Sequence, residues 1–243
     1  IEVRVLRPSR SDGTEATLWL DAFEMGGASD ADLLEQWPDR SGHGRHGWQG
    51  DEADRQPVYL RPADGLPGVS FAGGQQHFLL DEDAFPLSDL TVFAVFDDTG
   101  LNSDAEQFLA SNRLRIQREA SDGPVAFPGA LTVSSDLREI RGRHDVHGER
   151  VVHLAGFRAD SGYSHVNHRW DGQAEQREET REAVHPALGL LRNASADGAG
   201  ERFTLPFSGV AREIVVFPDG IAEARQRLVG DYLAAKWQDA LVW

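Results

Sequence analysis

Leu90-Thr91-Val92-Phe93-Ala94-Val95-Phe96 is the stretch on which the fold turns. It is rich in β-branched and aromatic residues and too short for a typical buried helix, so it reads as a strand. Alternate residues of a strand face opposite sides. Leu90, Val92, Ala94 and Phe96 form one apolar face, and Phe93 and Val95 make the other apolar as well. Ile214-Val215-Val216-Phe217 repeats the pattern. A strand with two apolar faces has to be covered on both. These two segments are therefore expected as central strands, with a second sheet over one face and another element over the other.

The natural cover is the one convincing helix, near Ile221–Trp237. Pro218 and Asp219 precede it, and Asp219 is a suitable N-cap. Ile221, Leu228, Val229, Tyr232 and Leu233 form its expected apolar stripe.

Outward from these segments the chain is a series of short apolar runs punctuated by Gly, Pro, Asp and Ser. Strands are expected at Ala16–Ala22, His46–Gln49, Pro57–Leu60, Gly68–Phe71, His77–Leu80, Gln107–Ser111 and Leu114–Arg118. Others fall at Ala130–Ser134, Val151–Arg158, Ser164–Trp170 and Arg212–Phe217. Asp171–Glu182, with five acids and two arginines, is expected as a mobile loop. Neither an internal repeat nor a composition shift divides the 243 residues. The expectation is an all-β, two-sheet antiparallel jelly-roll sandwich with one C-terminal helix packed on it, a single domain over 1–243.

The formal charge is −16, from 40 Asp and Glu against 24 Lys and Arg. Nucleic acid and anionic membrane surfaces both call for a basic footprint, so neither is an expected partner. No apolar run is long enough for a membrane-spanning helix. There is no Cys, which excludes disulfides, thiolate metal sites and a thiol nucleophile. The chain opens at Ile1 with no leader-like stretch and is read as a mature protein or a segment of a larger multidomain chain or assembly.

Several of these motifs, in this order, resemble those of bacterial laminin-G-like/concanavalin A-like lectin domains. They are Leu18-Trp19-Leu20-Asp21-Ala22, then Trp37-x-Asp39-x-Ser41-Gly42, the pair Gln56-Pro57, Val69-x-Phe71 and Leu90 to Phe93. The ending is similar too, with Phe207-x-Gly209, Glu213 to Phe217 and a helix closing on Tyr232-Leu233-Ala234-x-Lys236-Trp237. The resemblance implies a jelly roll in an extracellular or cell-surface protein that recognises glycans or other surface proteins. Within it, Asp39 and Ser41 are expected to bond turn backbone, Gly42 to take a positive φ, and Trp19, Trp37 and Trp237 to fill core or helix–sheet contacts.

Three kinds of chemistry compete. For glycan recognition, aromatic rings meet sugar CH faces while amides and acids bond hydroxyls. Trp170 beside Asn167, Asp171 and Gln173 offers this combination, and Trp48 and Tyr59 are further ligand-binding candidates; Tyr163 also lies near a strand end. For hydrolysis, two carboxyls about 5–5.5 Å apart are needed in a retaining enzyme. Asp81-Glu82-Asp83 lacks the strand spacing for that pair. Asp81 and Asp83 instead offer hard oxygen ligands for calcium, the one cofactor considered, and none is required by the reading. For polysaccharide lyase chemistry, Arg138-Glu139-Ile140-Arg141 with His153 and Tyr163 would have to converge. The pairs His43/His46, His144/His147 and His165/His168 are spaced by three outside the helix, where i and i+3 of a strand face opposite sides. The leading expectation is a non-catalytic carbohydrate-binding module. Its alternatives are a structural or adhesive domain of a surface or virion assembly, and a polysaccharide-processing lyase or hydrolase.

Overall fold

The computed structural model describes residues 16–49, 52–61, 66–85, 89–99, 104–111, 114–120, 130–134, 138–157, 162–166, 169–173, 175–176, 184–189, 191–193, 202–218 and 220–237. Its first strands are β1 (Leu18–Asp21), β2 (Gln36–Trp37), β3 (Gly47–Trp48), β4 (Val58–Leu60), β5 (Gly68–Ala72), β6 (Phe78–Leu79) and β7 (Leu90–Asp98). Next come β8 (Glu106–Ala110), β9 (Arg115–Arg118), β10 (Ala130–Ser134), β11 (Arg138–Asp145), β12 (Arg150–Phe157), β13 (Gly162–Val166) and β14 (Arg169–Gln173). The last are β15 (Glu175–Gln176), β16 (Val184–His185), β17 (Ala187–Leu188), β18 (Leu191–Asn193), β19 (Arg202–Thr204) and β20 (Ser208–Phe217), followed by α1 (Glu223–Trp237).

Two large antiparallel sheets form the body. The first has eight strands in the order β14-β13-β12-β7-β20-β5-β4, with β1 also pairing β20. Strand β5 pairs the first half of β20 and β1 pairs the second half, so both lie end to end along one side of it. The second sheet has nine strands, β15-β11-β10-β9-β8-β17-β6-β3-β2, and β16-β18-β19 form a small third sheet whose β18 lies close to β8 and β17.

As the apolar alternation requires, β7 and β20 are central. Phe96 faces the second sheet and stacks on Phe108 of β8, ring centroids 4.4 Å apart. Phe93 faces the other way and meets Phe217 edge-on. On that side lies α1, whose buried residues are Gln226, Val229, Gly230, Leu233, Ala234 and Trp237. Just ahead of the helix, the Ile221 N–H donates to Thr91 Oγ1, and Gln226 Nε2 donates to Tyr163 Oη at 2.6 Å. One point of the expected stripe is corrected. Leu228 is 49% exposed, because the face that meets the sheet is centred on Val229 and Leu233 and Leu228 lies about 100° away from Val229 around the axis. The proposed cap Asp219 lies outside the described residues.

Two further expectations change. Ser164–Trp170 is not one strand: β13 and β14 pair with each other as antiparallel neighbours. Val166 opposes Arg169 and Ser164 opposes Gly172, a register that requires the chain to have reversed direction between the two strands. The acidic stretch expected as a loop from Asp171 begins as part of β14, and Glu175–Gln176 pairs the edge of β11.

The motif Trp37-x-Asp39-x-Ser41-Gly42 does what its chemistry suggests. Trp37 is fully buried, and Gly42 has φ +92°. Asp39 Oδ1 accepts the N–H groups of Trp19 and Ser41, each at 2.9 Å, while Oδ2 accepts Arg45 N–H and Ser41 Oγ–H. Burial alone would raise the Asp39 carboxyl, but the hydrogen bonds from Ser41, Trp19 and Arg45 outweigh it and hold the group below its ordinary value.

Two tests follow from this packing. Leu233→Ala is expected to cost about 2–5 kcal/mol by denaturant unfolding, the usual range for a buried leucine. Asp39→Asn is expected to cost roughly 1–3 kcal/mol near neutral pH, since an amide cannot accept all four bonds. With a depressed folded-state value, the stabilisation from ionised Asp39 is present above the unfolded value of about 3.9 and is lost as pH falls through the folded one. The stability gap between wild type and Asp39→Asn should therefore narrow below about pH 4.

Candidate functional site

With α1 lying over the outer side of the eight-stranded sheet, the broad face left to consider is the outer side of the nine-stranded sheet. Its register is continuous. Gln36 opposes Trp48, Trp48 opposes Leu79, Leu79 opposes Ala187, and Ala187 opposes Ala110. Ala110 then opposes Arg115, Arg115 opposes Ser134, and Ser134 opposes Glu139. The row one residue over runs through Trp37, Phe78, Leu188, Leu109, Ile116, Val133 and Ile140, all in the core. Because side chains alternate, the first row lies on the outside.

The middle of this outer row is covered: Ala187 and Ala110 are buried, and Leu205 packs against Ala110. Two shoulders remain. On one, Trp48 is 46% exposed, with Gln36 and Leu79 half-buried beside it. Two residues beyond Leu79, Asp81 comes within 3.9 Å of Arg45 Nε. On the other shoulder, Arg115 and Gln117 of β9 are half-buried and Arg141 of β11 is exposed, its Nε donating to Glu139 at 2.7 Å. The Trp48 shoulder thus sets an accessible indole beside an amide and an ion pair. That pairing suits a sugar ring, which has CH faces for the aromatic and hydroxyls for the polar groups.

The other site residues expected from sequence are dispersed. Tyr59 is a correction: it is 3% exposed with its hydroxyl donating to the Ala22 carbonyl, because its position on β4 faces the core rather than solvent. Trp170, Asp171 and Gln173 lie on β14, at the opposite edge of the eight-stranded sheet from Tyr59. Six inter-strand spacings separate those edges, roughly 29 Å. Asn167 lies outside the described residues. Asp81 Oδ1 accepts the Asp83 N–H and starts the short 3₁₀ turn Glu82–Ala84, leaving Asp83 exposed. Among the described residues, no group of three or more His, Cys, Asp or Glu gathers as a metal site. Gln36 and Leu79 were not singled out in the sequence. Only their pairing with Trp48 distinguishes them from other turn-flanking residues.

The residues that a lyase would need to converge do not meet. His153 is fully buried, with Nε2 3.0 Å from Ser164 Oγ. Tyr163 turns to the helix side, where it bonds Thr91 and Gln226. Arg141 belongs to the other sheet. His46 Nδ1 accepts the Asp39 N–H at 2.8 Å and so holds a turn.

No protein-family model matches the chain, and no curated protein does. Solved structures do. The binding region of botulinum neurotoxin type C, whose cell entry depends on two ganglioside molecules, aligns with TM-score 0.57 and 9% identity over 90% of this chain and 51% of its own. An arabinofuranosidase complexed with arabinofuranosyl-alpha-1,2-xylobiose aligns with TM-score 0.58 and 13% identity over 96% and 61%. Domain 4 of the extracellular arabinanase AbnA of Geobacillus stearothermophilus, in complex with arabinotriose, aligns with TM-score 0.51 and 13% identity over 86% and 100%. The chain thus spans less than two thirds of the toxin and arabinofuranosidase chains and all of the arabinanase domain's length. At these identities the likeness is one of fold, a β-sandwich.

Proposed function

We propose that the chain is a non-catalytic carbohydrate-binding module of the laminin-G/concanavalin A-like kind, working within a secreted or cell-surface protein. The observation that carries this reading is the exposed indole of Trp48 on the outer row, with Gln36, Leu79 and the Arg45–Asp81 pair around it. Two of the similar folds support it, since one has arabinotriose bound and the other belongs to a toxin that uses gangliosides. A shallow site of this kind binds weakly, on the order of 0.1–1 mM for a single sugar, about −4 to −5.5 kcal/mol. Repeated copies would supply the avidity.

The test is a glycan array followed by titration calorimetry with arabino-oligosaccharides and ganglioside oligosaccharides, each with and without calcium. Trp48→Ala is expected to weaken binding at least about tenfold, roughly 1.4 kcal/mol, with little change in unfolding midpoint. Binding that survives Trp48→Ala but is lost in Trp170→Ala would move the site to β14. Absence of binding under every condition would leave the structural or adhesive reading in its place.

A further inference from the structure

The first strand and the last helix meet at a buried group of charges. Asp21 of β1 stands directly opposite Glu213 of β20 in the antiparallel register. Two carboxylates so placed repel each other. Lys236, the chain's only lysine, enters between them from α1, with Nζ 2.7 Å from Asp21 Oδ2 and 2.7 Å from Glu213 Oε2. The side chains are 3% exposed at Asp21, 0% at Glu213 and 15% at Lys236. Phe23, Tyr232 and Trp237 place their rings around the ammonium at 4.8–5.5 Å. Each Glu213 oxygen is held by an indole N–H, Trp19 at 2.7 Å and Trp237 at 2.6 Å.

We propose that this group is a self-modification site, at which Lys236 and Asp21 condense to an intramolecular side-chain amide with Glu213 as the proton carrier. In the ionised group, Lys236 passes one ammonium proton to the Asp21 carboxylate. The neutral amine adds to Cγ of Asp21, forming the C–N bond. Glu213 takes the next proton from nitrogen and delivers it to the departing hydroxyl. The C–O bond breaks and one water leaves. Ammonium plus carboxylate become amide plus water, with charge conserved and nothing oxidised or reduced.

The surroundings suit each step. The Phe23 N–H donates to Asp21 Oδ1 at 3.0 Å and Arg40 Nη1 to Oδ2 at 3.3 Å, so both oxygens of the reacting carboxyl have donors for the charge that develops on addition. Burial, and then the nearby Asp21 carboxylate, push the Glu213 carboxyl above its ordinary range, as befits a proton carrier. Nucleophile and acceptor are already in contact, which removes the entropy cost of bringing them together. Burial alone would favour the neutral amine, but Glu213 and Asp21 together raise the Lys236 value. The first proton transfer is therefore an unfavourable pre-equilibrium that keeps the neutral amine scarce, and the bond should form gradually after folding.

Intact-mass spectrometry of the purified chain, followed over days, tests this. The wild type is expected to fall below its sequence mass by one water, and peptides holding Asp21 and Lys236 should stay joined after digestion at arginine. Lys236→Arg keeps a cation between the two carboxylates and should hold the full mass. Asp21→Asn should lose ammonia instead of water, which a purely ionic anchor would not produce. A wild type that keeps its full mass, with the two peptides separate, overturns the proposal. So does water loss confined to Asp-Gly steps such as Asp171-Gly172 or Asp219-Gly220, recognised because hydroxylamine cleaves the cyclic imide formed there and spares a side-chain amide.

Discussion

Glu213 is fully buried on the face of β20 that meets the helix, and the arrangement of that face follows from satisfying it. Two indole N–H groups and one ammonium occupy its two oxygens, contributed by β1 and by the last turn of α1. A carboxylate taken out of water without such partners would cost several kcal/mol. The same contacts fix α1 to β1 across β20. Arg40 and Lys236 share Asp21, and Arg150 donates to the Trp237 carbonyl at the helix C-terminus, where a cation also suits the helix dipole. Phe93, Val95, Val215 and Phe217 can then be apolar on the outside of a sheet, because the helix is held over them.

A second set of charges braces the sheet itself. β20 carries a bulge between Ala211 and Glu213, so the intervening Arg212 leaves the regular alternation. Its guanidinium bonds the Leu66 and Pro67 carbonyls and, with Arg150, the Asp97 carboxylate. Burial raises Asp97, but the two arginines prevail and hold it below the ordinary carboxylate range. Between the sheets, Arg118 of β9 pairs with Asp98 of β7 at 2.6 Å. The inner faces thus pack and one outer face carries the helix, while the outer face of the nine-stranded sheet is covered at its middle by Leu205 and open at Trp48.

The candidate site shows how a sheet edge gathers residues that are far apart in the chain. Gln36, Trp48 and Leu79 come from three separate two-residue strands, brought together by cross-strand register. None of them has a buried polar network that would commit it to the core. Tyr59, of the same residue class as a sugar-binding aromatic, went inward because the alternation on β4 placed it there.

Local pattern alone determined the β class, the central position of Leu90–Phe96 and Ile214–Phe217, the covering helix, and the turn chemistry of Asp39, Ser41 and Gly42. Each of these rests on periodicity or on hydrogen bonds spanning a few residues, both of which are written in consecutive positions. Only the tertiary structure decided which aromatics face solvent, since Trp48 and Tyr59 both sit on short strands beside turns and only the pairing of β3 and of β4 sets which side each ring faces. It also decided that β11 is a strand, since Ile140 is its one large apolar side chain between charged neighbours. The meeting of Asp21, Glu213 and Lys236 was equally illegible in advance, because the first strand and last helix lie more than two hundred residues from each other and only pairing with β20 makes them neighbours.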